Sequence, residues 1–194
     1  MDNQGTRKIY IVISQTGTLL SRVLKVITRA KYNHVSISLD EKLESMYSFG
    51  RRRTYNPVWG GFVMESPHEG TFKRFENTKV IILEVCINDT KYEHLRRCVE
   101  NMYVHKHTYG YNYIGLFLAI LRIKHRSVRR YYCSEFVKEM LTRFSNMPKT
   151  LFPRIPKPID FLKLEQQAEC AIVFCGKLQE YARRFLVPSP ACAE

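Results

Sequence analysis

Apolar and polar positions alternate from Lys8 to Ser14, with Ile9, Ile11 and Ile13 on one side, which predicts a strand. After the turn residues Thr16-Gly17-Thr18, Leu19, Leu20, Val23, Leu24 and Ile27 recur at helical spacing and predict an amphipathic helix ending near Ala30. Alternation returns from His34 to Leu39, and Asp40-Glu41-Lys42 predicts a turn into a second strand from Leu43 to Phe49. With Leu39 opposite Leu43, His34, Ser36 and Ser38 share one face of this hairpin with Glu44, Met46 and Ser48. Val35, Ile37 and Leu39 lie on the other face with Leu43, Ser45, Tyr47 and Phe49.

Residues 50–78 carry Asn56-Pro57, Gly60-Gly61, Pro67 and Gly70 without a sustained period, so a long loop or a lid with short strands is expected there. Lys79 to Val85 predicts a strand. Thr90-Lys91-Tyr92-Glu93 has capping-box spacing, ahead of a helix that turns Tyr92, Leu95, Val99 and Met102 inward. Ile114 to Leu121 is an apolar helix, either buried all round or lying on a surface. Phe136, Val137, Met140, Leu141 and Phe144 share one face of a further helix that ends before Pro148, which puts Cys133 and Ser134 at its cap. Pro148, Pro153, Pro156 and Pro158 mark an extended connection to a short helix at Ile159-Asp160-Phe161-Leu162. A strand from Ala171 to Phe174, a last helix near Lys177 to Phe185 and a frayed tail through Val187-Pro188-Ser189-Pro190 complete the chain. These elements predict an α+β fold, a mostly antiparallel sheet packed against helices. One domain is expected over residues 1–194, with its core at about 8–176 and a C-terminal helix and tail at 177–194.

A hydrophobic fraction of 45% against 25% charged residues is that of a folded chain, so disorder is expected only at the ends. The net charge of +13 changes the picture more, because such a surface attracts anions: nucleic acid, lipid headgroups or acidic substrates. Part of the charge is clustered at Arg51-Arg52-Arg53 and at Arg122, Lys124, Arg126, Arg129 and Arg130. The plainer account of such runs is a solvated basic face. The six cysteines, at 86, 98, 133, 170, 175 and 192, include no Cys-x-x-Cys pair, so neither a metal nor a cofactor is expected and most are read as reduced core residues. No secretory leader is visible, and the apolar stretch Tyr113 to Leu121 is too short to span a bilayer, so a cytoplasmic location is expected.

Cys133 is the residue best placed for chemistry. A thiol at a helix start feels the positive end of the helix dipole and unpaired backbone N–H groups, both of which favour the thiolate. A cysteine nucleophile needs an imidazole within hydrogen-bond reach and a third polar group to orient that ring. His34, first on its strand and on the polar face, is the best partner. His68 sits in a loop, His94 on a helix, His105 and His107 near a helix end, and His125 inside the basic run.

The segments Asn33-His34-Val35-Ser36-Ile37-Ser38-Leu39, Met46-Tyr47-Ser48-Phe49-Gly50-Arg51, Tyr55-Asn56-Pro57 with Gly60-Gly61-Phe62-Val63, and Tyr132-Cys133-Ser134-Glu135-Phe136-Val137 together resemble one family. They look like the circularly permuted branch of the NlpC-type papain-like superfamily, and most of all like its YiiX-like bacterial members. That branch places the histidine strand before the cysteine helix, the order found here over roughly residues 8 to 165. The resemblance implies a permuted papain-like arrangement with Cys133 as nucleophile at a helix N-terminus and His34 as its base. Family members commonly carry a polar third residue about a dozen positions after the histidine, where this chain has Met46, which cannot orient an imidazole. On the hairpin register above, Ser48 and Glu44 are the candidates for that role.

The function expected is that of a cysteine-dependent hydrolase or acyltransferase acting on an amide, ester or thioester carbonyl through an acyl-enzyme on Cys133. The substrate class is a small molecule, a peptide or a lipid-like acyl compound. The apolar helix beside the basic run at 122–130 would suit an acyl substrate at an anionic membrane surface. Two alternatives stand beside this. One is a non-catalytic basic module binding anionic membrane or nucleic acid, although no nucleic-acid motif is present and the aromatic residues follow core periodicities. The other is an inactive relative that keeps the fold.

Overall fold

The computed structural model describes residues 5–16, 31–53, 56–123, 125 and 127–186. Their strands are β1 (Thr6–Gln15), β2 (His34–Ser38), β3 (Met46–Arg53), β4 (Asn56–Glu65), β5 (Lys79–Asn88), β6 (Gly110–Tyr111), β7 (Arg130–Tyr131) and β8 (Cys170–Lys177). The helices are α1 (Gly70–Arg74), α2 (Asp89–Val104), α3 (Tyr113–Ile120), α4 (Cys133–Phe144) and α5 (Leu178–Arg183), with 3-10 turns at Lys106–Thr108, Lys149–Leu151 and Pro158–Gln166. All eight strands join one sheet in the order β7-β6-β4-β3-β2-β1-β5-β8. Every pairing is antiparallel except that of β6 with β7, which gives an α+β fold.

Alternation along the central strands decides which helices cover which face. Ile9, Ile11 and Ile13 of β1 join Val35, Ile37, Phe49, Leu83 and Val85 in the larger core, against the inward residues of α2 and α4. Tyr10 and Val12 point the other way, into a smaller cluster with Met46, Val80, Ile82, Phe72 of α1 and Leu178 and Tyr181 of α5. Helix α2 buries Tyr92, Leu95, Val99 and Met102 as their spacing predicts, but Asn88 caps it by accepting the Lys91 N–H at 2.8 Å, so it starts before the Thr90 box.

The stretch 50–78, expected as a long loop or a lid with short strands, carries among its described residues the end of β3, the ten-residue β4 and α1. Its glycines mark close approach between strands. A Cβ on Gly60 would lie 2.5 Å from the Tyr113 hydroxyl and 2.7 Å from the Tyr111 Cβ, so the two glycines let β4 run under β6 and the start of α3. The hairpin β2-β3 also differs from the expected one. Asp40 accepts the backbone N–H groups of Glu44 and Ser45 at 3.0 and 3.2 Å, and Leu43 takes φ 60°. Those residues are spent on the turn, so pairing begins at Ser38↔Met46 and Ile37↔Tyr47, two residues out of step with a Leu39↔Leu43 register. The expected helix at Leu19–Ala30 and the expected frayed tail from Val187 lie outside the described residues.

Candidate active site

Cys133 is the first residue of α4, after Tyr132 in extended conformation (φ −99°, ψ 163°). No side chain caps this helix, so its first N–H groups face the site unsatisfied by a cap. Phe136, Val137, Met140 and Leu141 bury the inner stripe of α4 against the sheet, and Phe49, Phe62 and Phe136 pack ring to ring at 5.3–5.5 Å. Packing on that stripe aims the N-terminus of α4 at the start of β2, where His34 is.

Strands β2 and β3 pair only at Ile37↔Tyr47 and Ser38↔Met46, and part company toward His34. Ser48 fills part of the gap by donating its hydroxyl to the Val35 carbonyl at 2.7 Å. In an extended strand the N–H and C=O of one residue point to the same side. The Val35 N–H therefore faces the same opening, where it favours the Cys133 thiolate. Ser134 adds a hydroxyl 3.9 Å from that sulfur.

His34 is held by a carboxylate. Its Nε2 lies 2.8 Å from Glu65 Oε2 and 3.2 Å from Ser36 Oγ, and Ser36 donates to the same Glu65 oxygen at 2.8 Å. A carboxylate only accepts, so Nε2 carries a proton and Nδ1 is the ring position left open to the sulfur. Glu65 closes β4, two strands away from β2 in the sheet. A Cβ on Gly50, in the strand between, would lie 3.3 Å from Glu65 Oε1 and 3.7 Å from His34 Cε1, so glycine there makes room for the pair.

Charges follow from this geometry. Burial works against a positive His34, but the neighbouring Glu65 carboxylate and the hydrogen bond to Cys133 outweigh it and push the imidazole up from 6.5 to about 10. Burial likewise opposes the Cys133 thiolate, and the His34 hydrogen bond and charge, with the Val35 N–H, overcome it and hold the thiol below its ordinary 9.0. Both directions favour a thiolate facing an imidazolium. Tyr111 is the further buried group in this field: burial, then Cys133, keeps its phenol protonated.

The structure brings Cys133 and His34 together and does not bring either expected third residue to the imidazole. Ser48 is committed to Val35, and Glu44 is an exposed turn residue. The carboxylate on His34 is that of Glu65, in the stretch expected as a loop or a lid with short strands; its only local signal is a charge closing the apolar run Phe62-Val63-Met64. Ser36 lies where strand parity puts it, two residues along the same face as His34, whereas Tyr111 carried no local signal because it meets the site through the sheet.

The other cysteines differ from Cys133 in burial, and of them Cys98 and Cys170 pack against the larger core. Cys86, Cys98, Cys133, Cys170 and Cys175 are free thiols, yet Cys133 is buried, Cys175 is exposed and the rest are half-buried; Cys192 lies outside the described residues. The basic cluster is partly structural, as Arg52 donates to the carbonyls of Lys106 at 2.5 Å and Tyr109 at 2.6 Å. Among the described residues no group of three or more His, Cys, Asp or Glu side chains is placed to hold a metal ion. The chain matches no family model and no curated protein.

Proposed function

We propose that this chain is a cysteine-dependent hydrolase or acyltransferase of the permuted papain-like type, with Cys133 as nucleophile, His34 as its acid and base, and Glu65 as the residue that orients and charges His34. The observation that carries this is one imidazole, that of His34, which bonds the Glu65 carboxylate at 2.8 Å and whose charge acts on the buried Cys133 thiol. Glu65 supplies the orienting group that Met46 cannot, which supports an active site over an inactive relative.

The thiolate attacks an amide, ester or thioester carbonyl carbon, and the carbonyl electrons move to oxygen. The uncapped N–H of Cys133 at the start of α4 faces that oxyanion. On collapse the C–N, C–O or C–S bond breaks, and the leaving group takes the proton held by His34. Water, or an acceptor hydroxyl or amine, then gives its proton to His34 and attacks the thioester, releasing the acyl group and restoring the thiolate.

A panel of chromogenic acyl esters and acyl amides tests the reading. Turnover by the wild type, its loss in Cys133→Ala and its retention in Cys86→Ala are expected. Equal turnover by wild type and Cys133→Ala would overturn the role given to Cys133.

A further inference from the structure

Helix α3 is anchored on one side only. Its Asn112 cap accepts the Gly115 N–H at 2.9 Å, and Leu116 packs against the larger core. On the other side Ile114, Phe117 and Leu121 are 62%, 63% and 55% exposed. Spaced three and four residues apart, they form one apolar stripe along the outside of the helix. Ile123 and Val128 are exposed in the segment that follows. Large apolar side chains contiguous at the surface mark a place where something else binds.

The end of α3 indicates what that is. The Ile123 N–H bonds the Leu118 carbonyl at 2.8 Å and the Arg122 N–H bonds that of Ala119 at 3.1 Å, the paired closure that ordinarily has glycine in the left-handed position. Here Arg122 occupies it, at φ 61°, and carries the steric strain that glycine avoids. The strained residue puts a positive charge at the end of the apolar stripe. Arg129 and Arg130, also exposed, stand on the β7 side, beside the β6 strand from which α3 springs.

We propose that α3 docks this protein on an anionic bilayer surface, with Ile114, Phe117 and Leu121 in the boundary between headgroups and acyl chains and Arg122, Arg129 and Arg130 at the lipid phosphates. An eight-residue helix lies in that plane and does not cross it; no helix among the described residues is long and apolar enough to span a membrane. A second copy is the poorer occupant, because each chain carries +13 and a shared stripe would gather the arginines of both around one apolar patch. Docking needs no turnover, so it stands apart from the role given to Cys133.

Co-sedimentation with mixed phosphatidylserine and phosphatidylcholine vesicles at low salt tests this, with phosphatidylcholine vesicles as the neutral arm. The wild type is expected to sediment with the anionic vesicles and weakly with the neutral ones. Ile114→Glu with Phe117→Glu, both on exposed positions, should lose roughly tenfold or more in affinity. Arg122→Gly should lose about fivefold while its melting temperature stays level or rises, which separates lost charge from lost folding. No wild-type binding, equal binding to both vesicles, or undiminished binding by the double glutamate variant would each overturn the proposal. A wild-type dimer in sedimentation velocity that the double variant dissolves, without vesicle binding, would make the stripe an interface between copies instead.

Discussion

Replacing Glu65 by glutamine keeps the shape of the side chain and removes its charge, the largest of the influences that hold a proton on His34 against burial. The rise from 6.5 to about 10 amounts to roughly 5 kcal/mol of preference for the imidazolium, at about 1.4 kcal/mol per tenfold change. The His34 side chain is 13% exposed, so little of this is screened by solvent. The charge of the accepting partner contributes about 2 kcal/mol of it, and losing that charge lowers the His34 midpoint by about 1.5 on the pH scale. The thiol should respond differently. Removing a negative charge near a thiolate does not disfavour the thiolate, so the acid limb of Cys133 alkylation should stay or move down, while the alkaline limb of turnover falls with His34. NMR titration of carbon-labelled histidine reads this directly, with His34→Gln assigning one signal among six. A His34 midpoint unchanged in Glu65→Gln would refute the electrostatic role given to Glu65. Movement of both limbs toward ordinary values would point instead to a loosened site.

Iodoacetamide at neutral pH should label Cys133 ahead of Cys98 and Cys170, because burial raises Cys98 and pushes Cys170 up to about 12; peptide mass spectrometry showing either of those labelled first would contradict the thiolate assignment. His34, raised to about 10, contributes stability that is complete below 6.5 and lost as pH rises toward 10, whereas Cys133, held below 9.0, contributes stability that is lost as pH falls. The two slopes oppose each other, so urea unfolding of Cys133→Ala should show stability falling between about pH 7 and 10 more steeply than wild type, and identical slopes would count against the ion pair. Gly60→Ala would press a Cβ to within 2.7 Å of Tyr111, and a loss of about 1–3 kcal/mol in urea unfolding is expected; an unchanged midpoint would mean that β4 and β6 do not meet as closely as described.

Local pattern carried much of the fold. Strand β1 and helices α2 and α4 follow from apolar spacing alone, because one buried face of each leaves a period of two or of three to four in the residues themselves. Strand β4 did not, since Gly60-Gly61 look like turn residues until Tyr111, Tyr113 and the Tyr109 carbonyl are seen pressing on them. The surface stripe on α3 was half legible: the run is apolar on every side, and only packing shows that Leu116 faces in while Phe117 faces out.

From the sequence by itself came a thiol at a helix start and a histidine on the polar face of a strand, since capping position and strand parity are properties of neighbours in the chain. The tertiary structure decided what stands behind the histidine. Asp40 and Leu43 lengthen the turn between β2 and β3, and this moves the register by two residues and takes Glu44 out of the strand. Glu65 reaches His34 across β3, over a glycine. No local spacing encodes that contact, because strand order, hairpin register and the missing side chain at Gly50 set it together.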